Sequence, residues 1–136
     1  MTDWMVEREA VLVYSYEYFA QAKVFVFRKW CEKAAEQKLL VPTDLSGACI
    51  YGSLFMNHLF GGTIRGHYQH QFNLIEGRIV DLSHDAMDVG KMTNPYLHEP
   101  GYFIIPEKNK ALDECIPRID DWVIQFLAEL EKLKIS

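Results

Sequence analysis

One cysteine of this chain is followed, in order, by the two residue types that thiol catalysis needs. Cys49 lies in the motif Gly47-Ala48-Cys49, and His70 and Asp81 lie in the next two segments. A cysteine attacks as the thiolate, and a free thiol, with a pKa of about 8.5, is mostly protonated near neutral pH. A histidine can take the thiol proton, and a carboxylate can hold the imidazole in the required tautomer. These three residues therefore indicate a thiol nucleophile with an oriented base.

The segment around Cys49 is expected to begin a helix over about residues 47–60. Ser46 is a candidate N-cap, and Gly61 is a candidate stop. If Ser46 is the cap, Cys49 lies in the first turn, where unpaired N–H groups carry partial positive charge. We expect this position to favour the thiolate of a partly accessible Cys49, and to make its N–H a donor to an oxyanion.

The other two residues are expected on a β-hairpin. Two or three short strands are predicted, over residues 63–68, 69–75 and 78–83. A two-residue turn containing Gly77 would pair Ile75 with Arg78. His70 and Asp81 would then be diagonal neighbours on one face, roughly 7–8 Å apart at the backbone. A three-residue turn with a bulge would move Asp81 to the opposite face, so the triad requires the first register.

Short motifs between residues 46 and 83 resemble the YunG-like family of small, uncharacterised bacterial proteins. Its members carry Gly-Gln-Cys, Gly-Gly, His-Tyr-Trp-Asn, Asp-Gly and Val-Asp-Leu-Thr in this order. The corresponding residues here are Gly47-Ala48-Cys49, Gly61-Gly62, His70-Gln71-Phe72-Asn73, and Gly77 leading into Val80-Asp81-Leu82-Ser83. The family is thought to be papain-like, so the resemblance implies a Cys–His–Asp site and says little about the substrate.

One departure from the family pattern concerns the oxyanion. The glutamine before the family's cysteine is Ala48 in this chain. A side-chain amide that could help to hold an oxyanion is therefore missing, and Thr43, Ser46 or Asn73 would have to supply the support. This departure bears on activity more than on fold.

Two other interpretations of the same residues stay open. Cys49 could be a small buried hydrophobic residue, as we predict for Cys31 and Cys115. A protein of the same fold that lacks catalysis could instead bind a protein partner through its cleft or an exposed helix face.

A zinc site is the third alternative, with His58, His67 and His70 beside Cys49 or Asp81. Zinc ligands usually come in close pairs. The two imidazoles of His67 and His70 on one extended segment are expected to point to opposite faces. We therefore expect no metal and no other cofactor.

The length, composition and charge of the whole chain limit the possible folds and functions. Its 136 residues, 49% hydrophobic and 24% charged, predict one globular domain over residues 1–136. A net charge of −5 without a run of Lys or Arg argues against nucleic-acid binding. No apolar stretch approaches the roughly 18 residues of a membrane span. An acidic start unlike a signal peptide, and three cysteines without CxxC spacing, predict a cytoplasmic protein.

Several elements must position the site. Helices are predicted over residues 17–38 and, as an amphipathic C-terminal helix beginning near Pro117, over about 117–134. Residues 84–107 are expected to be mainly loop, with a possible strand over 102–105. The expected fold is α+β with a papain-like or transglutaminase-like core, in which helices pack on a small antiparallel sheet.

The expected function is thiol-dependent hydrolysis or acyl transfer. The substrate class is a peptide or another amide or thioester-like acyl compound, as for a protease, amidase, deamidase or acyltransferase. These activities share one triad and differ in cleft and second substrate, so the residues do not separate them. The oligomeric state cannot be read from the residues either.

Overall fold

Residues 3–135 are described by the computed structural model, and they form four α-helices and a three-stranded antiparallel sheet. In chain order the elements are α1 (Tyr16–Glu36), α2 (Cys49–Phe60), β1 (Thr63–His67), β2 (His70–Ile75), β3 (Arg78–Val80), α3 (Met87–Gly90), a 3₁₀ helix (Pro100–Ile104) and α4 (Pro106–Ile135). The strand order is β1-β2-β3. The predicted α+β class is therefore confirmed.

Helix α2 is the centre of the core. All its residues from 52 to 60 are buried, as expected for a helix covered on every side. Phe55 stacks on Phe25 of α1 at 5.5 Å between ring centroids, and meets Phe126 of α4 edge-to-face at 5.7 Å. On the sheet side, Asn73 of β2 donates its side-chain N–H to the carbonyl of Ser53 at 2.9 Å. The helix that begins with Cys49 is thus fixed against both helical neighbours and the sheet.

The β2–β3 hairpin has the register that the triad requires. Ile75 pairs with Arg78, and Asn73 pairs with Val80. Glu76 and Gly77 both have positive φ, 53° and 76°, which is the geometry of a two-residue type I′ turn. The predicted two-residue turn is confirmed, although β3 ends at Val80 and not at residue 83.

The Gly61-Gly62 pair serves the fold. A Cβ on Gly61 would lie 2.4 Å from the carbonyl oxygen of Arg8, and one on Gly62 would lie 2.2 Å from that of Leu74. Both residues also have positive φ. The motif is thus required where α2 ends and the N-terminal segment crosses β1.

Two predictions about the C-terminal half are wrong. Helix α4 begins at Pro106, well before residue 117, and Pro117 lies inside it. The helix continues through this proline because buried Leu112 and Ile119 lie on either side of it in one apolar stripe, which offsets the lost backbone hydrogen bond. Residues 102–105 form no strand, since they lie in the 3₁₀ helix and the residue after it.

Within residues 3–135, no helix has both the length and the apolar character that crossing a bilayer demands.

Candidate active site

Cys49 is the first residue of α2, as predicted, but the cap of this helix is not Ser46. The N-cap residue is Ala48, which has no side chain to accept a hydrogen bond. Ser46 lies too early because the chain makes a tight turn there, with Gly47 at φ 79° and the Ala48 N–H donating to Leu45. The first N–H groups of a helix have no intrahelical acceptor. The N–H of Cys49 therefore faces no competing side-chain cap.

Hydrogen bonds of Asp44 and Asp88 hold the loop before Cys49 against α3. Asp44 accepts from the N–H groups of Ser46 at 2.9 Å and Met87 at 2.8 Å. Asp88 accepts from the N–H of Gly47 at 2.9 Å, and its own N–H donates to the Ser46 hydroxyl at 3.2 Å. These backbone hydrogen bonds, that from Met87 most of all, lower the pKa of the Asp44 carboxyl. The loop is thus hydrogen-bonded to α3, and Ser46 takes part in these hydrogen bonds.

His70 and Asp81 form the predicted pair. His70 Nε2 lies 2.8 Å from Asp81 Oδ2, and the two side chains are 1% and 5% exposed. The other carboxylate oxygen, Oδ1, accepts from the Ser83 N–H at 2.9 Å. Asp81 lies directly after β3, where the strand register carries it beside β2. The sequence prediction of a His–Asp hydrogen bond is confirmed.

Cys49 also affects the pKa of the His70 imidazole. Burial lowers the pKa of His70, but the hydrogen bond to Asp81 raises it to about 9, and the Cys49 sulfur and the charge of Asp81 add to this effect. Since Nε2 binds Asp81, Nδ1 is the nitrogen available to the thiol. Nδ1 is buried and makes no well-formed hydrogen bond within the described residues.

Tyr96 is part of this site, and the sequence analysis missed it. Its hydroxyl donates to Asp81 Oδ2 at 3.1 Å. Burial and the Asp81 charge raise the pKa of Tyr96 to about 12, so the hydroxyl stays a donor. Its ring centroid lies 5.2 Å from that of Phe72 and 6.1 Å from that of His70. No local pattern marks this tyrosine, because it lies in an irregular segment far along the chain from Asp81.

Tyr102 lies on the Cys49 side of the same region. Burial raises the pKa of its hydroxyl, and the negative charge of Cys49 adds to this effect. Its ring packs edge-to-face on buried Phe103 at 5.2 Å. Two tyrosines from the stretch predicted as mainly loop are therefore linked to the site, Tyr96 by a hydrogen bond to Asp81 and Tyr102 through the effect of Cys49 on its pKa.

Two of the three residues predicted to support an oxyanion use their side chains in other contacts. The Ser46 hydroxyl accepts from Asp88, as described above. Asn73 is 1% exposed and is used to join the sheet to Ser53 of α2. Thr43 is exposed and lines a cleft of about 590 Å³ between α1 and α3. The N–H of Cys49 is left as the donor closest to the sulfur.

The sequence analysis argued against zinc from an expected geometry of His67 and His70 that is wrong. His67 and His70 are paired across a tight hairpin turn, so their side chains share one face of the sheet and do not point apart. His58 is in α2 and has a different partner, Asp120, at 3.2 Å. Among the residues that the structure describes, no three or more of His, Cys, Asp and Glu are grouped as metal ligands.

Cys31 and Cys115 are also free thiols, half-buried like Cys49. Their Sγ atoms lie 3.8 Å from the Pro42 carbonyl oxygen and 3.4 Å from that of Ala111. Burial raises the pKa of the Cys115 thiol. In the described part of the chain neither has a hydrogen-bonded imidazole, so they serve as internal references for Cys49.

Comparison of the chain with protein-family models, with curated proteins and with solved structures gave no match. The fold and the site thus define an α+β protein in which a cysteine at a helix start acts on a buried histidine–aspartate pair. What this arrangement does must be argued from its own geometry.

Proposed function

We propose that this protein is a thiol-dependent hydrolase or acyltransferase with a papain-like core, acting on a peptide or another amide or thioester-like substrate. Cys49 is the nucleophile, His70 is the general base and acid, and Asp81 orients the imidazole. One observation carries the proposal: His70 is hydrogen-bonded to Asp81 at 2.8 Å, and Cys49, at the start of α2, contributes to the raised pKa of this imidazole. The resemblance to the YunG-like family supports it on the same residues.

The chemical steps follow from these positions. His70 Nδ1 takes the thiol proton, and the sulfur bonds to the carbonyl carbon while the π electron pair moves to the oxygen. The tetrahedral intermediate collapses, the leaving group departs with the proton from His70, and an acyl-thioester remains on Cys49. Water or an acceptor then gives its proton to His70, attacks the thioester and releases the thiol.

The oxyanion is stabilised by the start of α2. The N–H of Cys49 lies at the positive end of the helix dipole and points away from the helix body. Backbone donors of this kind commonly contribute a factor of about 10² to 10³ in rate. Ala48, in place of the family's glutamine, leaves this site without a side-chain amide donor, and we expect turnover to be correspondingly modest.

Thiol labelling tests the proposal. Native protein is treated with iodoacetamide, and the three cysteine peptides are quantified by mass spectrometry. We expect Cys49 to react first, with Cys31 and Cys115 much slower. Turnover of amide, ester and thioester probes should disappear in Cys49→Ala and persist in the matched variants Cys31→Ala and Cys115→Ala. Equal labelling of the three thiols, with no thiol-dependent turnover, would refute an enzymatic role.

A non-catalytic, partner-binding protein is the second candidate. Two observations favour it: His70 is only 1% exposed, and no amide precedes Cys49. In that case Cys49 serves packing alone, and the same labelling experiment gives three slow thiols.

A further inference from the structure

We propose that Tyr96 is a positioning residue of the Cys49 site, whose hydroxyl holds the Asp81 carboxylate against His70 and whose ring separates this pair from water. The inference rests on the proposed function, since it assigns one more residue to the same site.

The hydroxyl contact is directed at the catalytic carboxylate. Tyr96 donates to Asp81 Oδ2 at 3.1 Å, and the same oxygen lies 2.8 Å from His70 Nε2. The Ser83 N–H reaches Oδ1 at 2.9 Å. Three contacts spread over two oxygens fix the plane of the carboxylate, and hydrogen bonds to a charged group are stronger than neutral ones. Tyr96 therefore restricts Asp81 to the orientation that serves His70.

The ring forms the outer layer over the pair. Tyr96 is 37% exposed, whereas His70 is 1% and Asp81 is 8% exposed. The ring meets Phe72 nearly at right angles, at 83°, and Phe72 in turn stacks on the imidazole of His70. Excluding water strengthens a hydrogen bond between ionisable groups. The two rings thus keep the His70–Asp81 bond in a dry setting.

The segment that carries Tyr96 is anchored to the sheet. Glu99 donates its N–H to the Gly66 carbonyl at 2.8 Å, and the Gly66 N–H donates to Nδ1 of His98 at 3.1 Å. Gly66 has φ 139°, and a Cβ there would lie 2.2 Å from the carbonyl oxygen of His70. Both bonds fix the segment beside the strand end where His70 lies. The place of Tyr96 is therefore set by backbone hydrogen bonds as well as by its own contacts.

The test compares Tyr96→Phe, which removes only the hydroxyl, with Tyr96→Ala, which also removes the ring. Tyr68→Phe is the matched control, because Tyr68 is a 73% exposed tyrosine in the β1–β2 turn. For each protein, the rate constants of Cys49 with iodoacetate and with iodoacetamide are measured from pH 6 to about pH 10.5, a range that brackets the titration of a histidine shifted upward. A protonated His70 attracts the anionic reagent, so the ratio of the two rates falls where His70 loses its proton.

In the parent and in Tyr68→Phe, this fall should be centred near pH 9, where His70 titrates. In Tyr96→Phe the midpoint should move down by about half a pH unit or more, because a looser Asp81 holds the imidazolium less well. Alkylation at pH 7 should slow by about threefold to tenfold, as expected for the loss of one hydrogen bond of average net strength. Tyr96→Ala should be affected more than Tyr96→Phe.

A midpoint that is unchanged or raised in Tyr96→Phe would overturn the positioning role while leaving the proposed function intact. If Cys49 of the parent reacts no faster than Cys115, the proposed function itself fails. The titration of the His70 ring is then followed by NMR, and an equal midpoint in parent and Tyr96→Phe overturns the contact between Tyr96 and this pair as well.

Discussion

Two histidine–aspartate pairs lie within residues 3–135, and they behave in opposite ways. His70 Nε2 lies 2.8 Å from Asp81, and the pKa of His70 is raised to about 9. His58 Nδ1 lies 3.2 Å from Asp120, yet the pKa of His58 is lowered. Both histidines are buried, so burial of the imidazole alone does not separate them.

The difference lies in what surrounds each carboxylate and each ring. The Asp120 side chain is 57% exposed, whereas that of Asp81 is 5% exposed. Water weakens the attraction between an exposed carboxylate and an imidazolium, so burial and the positive charge of Arg8 prevail at His58. At His70 the buried carboxylate is joined by Cys49, which adds a second negative group. In this protein the histidine with the buried carboxylate and with Cys49 nearby has the raised pKa, and the histidine with the exposed carboxylate has the lowered one.

Removing Cys49, the third group at the His70 ring, should have the largest effect on the difference between the two histidine–aspartate pairs. Cys49→Ala should abolish any thiol-dependent turnover, because in the described part of the chain Cys31 and Cys115 have backbone carbonyls as partners and only Cys49 affects the pKa of His70. Folding stability should fall by less than about 1 kcal/mol, since the change deletes one half-buried sulfur and no core volume. Probe turnover and urea unfolding measure the two effects. A large loss of stability would indicate that Cys49 serves packing.

Neutralising the carboxylates should separate the two pairs in catalysis. Asp81→Asn keeps the shape but not the charge and should lower turnover about 10³-fold to 10⁴-fold, as loss of tautomer control does in related triads. Asp120→Asn is the matched control and should leave turnover and Cys49 labelling unchanged. Equal rates in the two variants would remove Asp81 from the mechanism.

Truncating the carboxylates should separate the pairs in stability. Asp81→Ala leaves a buried imidazole without its partner and should lower the free energy of unfolding by about 3 kcal/mol or more. Asp120→Ala removes a partner that is mostly in water and should cost less than about 1 kcal/mol. Both values come from urea unfolding at pH 7. Losses of equal size would contradict the difference in burial.

How far the sequence predicts this site depends on whether its contacts are local. The His–Asp hydrogen bond is predicted only if the hairpin has a two-residue turn; the sequence allows a bulged turn as well, and the structure has the two-residue one. The contact of Tyr96 with Asp81 and the hydrogen bonds of Asp44 and Asp88 belong to no repeat or motif. They depend on how irregular segments fold back on the rest of the chain. The prediction of Ser46 as the N-cap is wrong for a related reason. A hydroxyl near a helix start can accept a hydrogen bond from that helix or from a neighbouring segment, and the Ser46 hydroxyl accepts from Asp88 of α3.

The pH dependence of stability should also separate the two pairs, because the two histidines should act on opposite sides of pH 6.5. The pKa of His70 is about 9 in the folded state and about 6.5 in the unfolded state, so the folded protein holds more protons between these values. The stability from this pair is therefore complete below pH 6.5 and is lost as the pH rises through 9. His58 has the opposite sign, because its lowered pKa makes the unfolded state bind the proton first, and stability is lost as the pH falls below 6.5.

Urea unfolding from pH 5 to about pH 10 separates the two contributions, since that range spans the titration of both imidazoles. His70→Gln should flatten the decline on the alkaline side, and His58→Gln should flatten the decline on the acid side. Cys49→Ala should reduce the alkaline decline without removing it, because Asp81 contributes more than Cys49 to the raised pKa of His70. A decline between pH 6.5 and 9 that is the same in parent and His70→Gln would mean that the buried pair does not titrate as a unit, and the contrast between the two pairs would then rest on geometry alone.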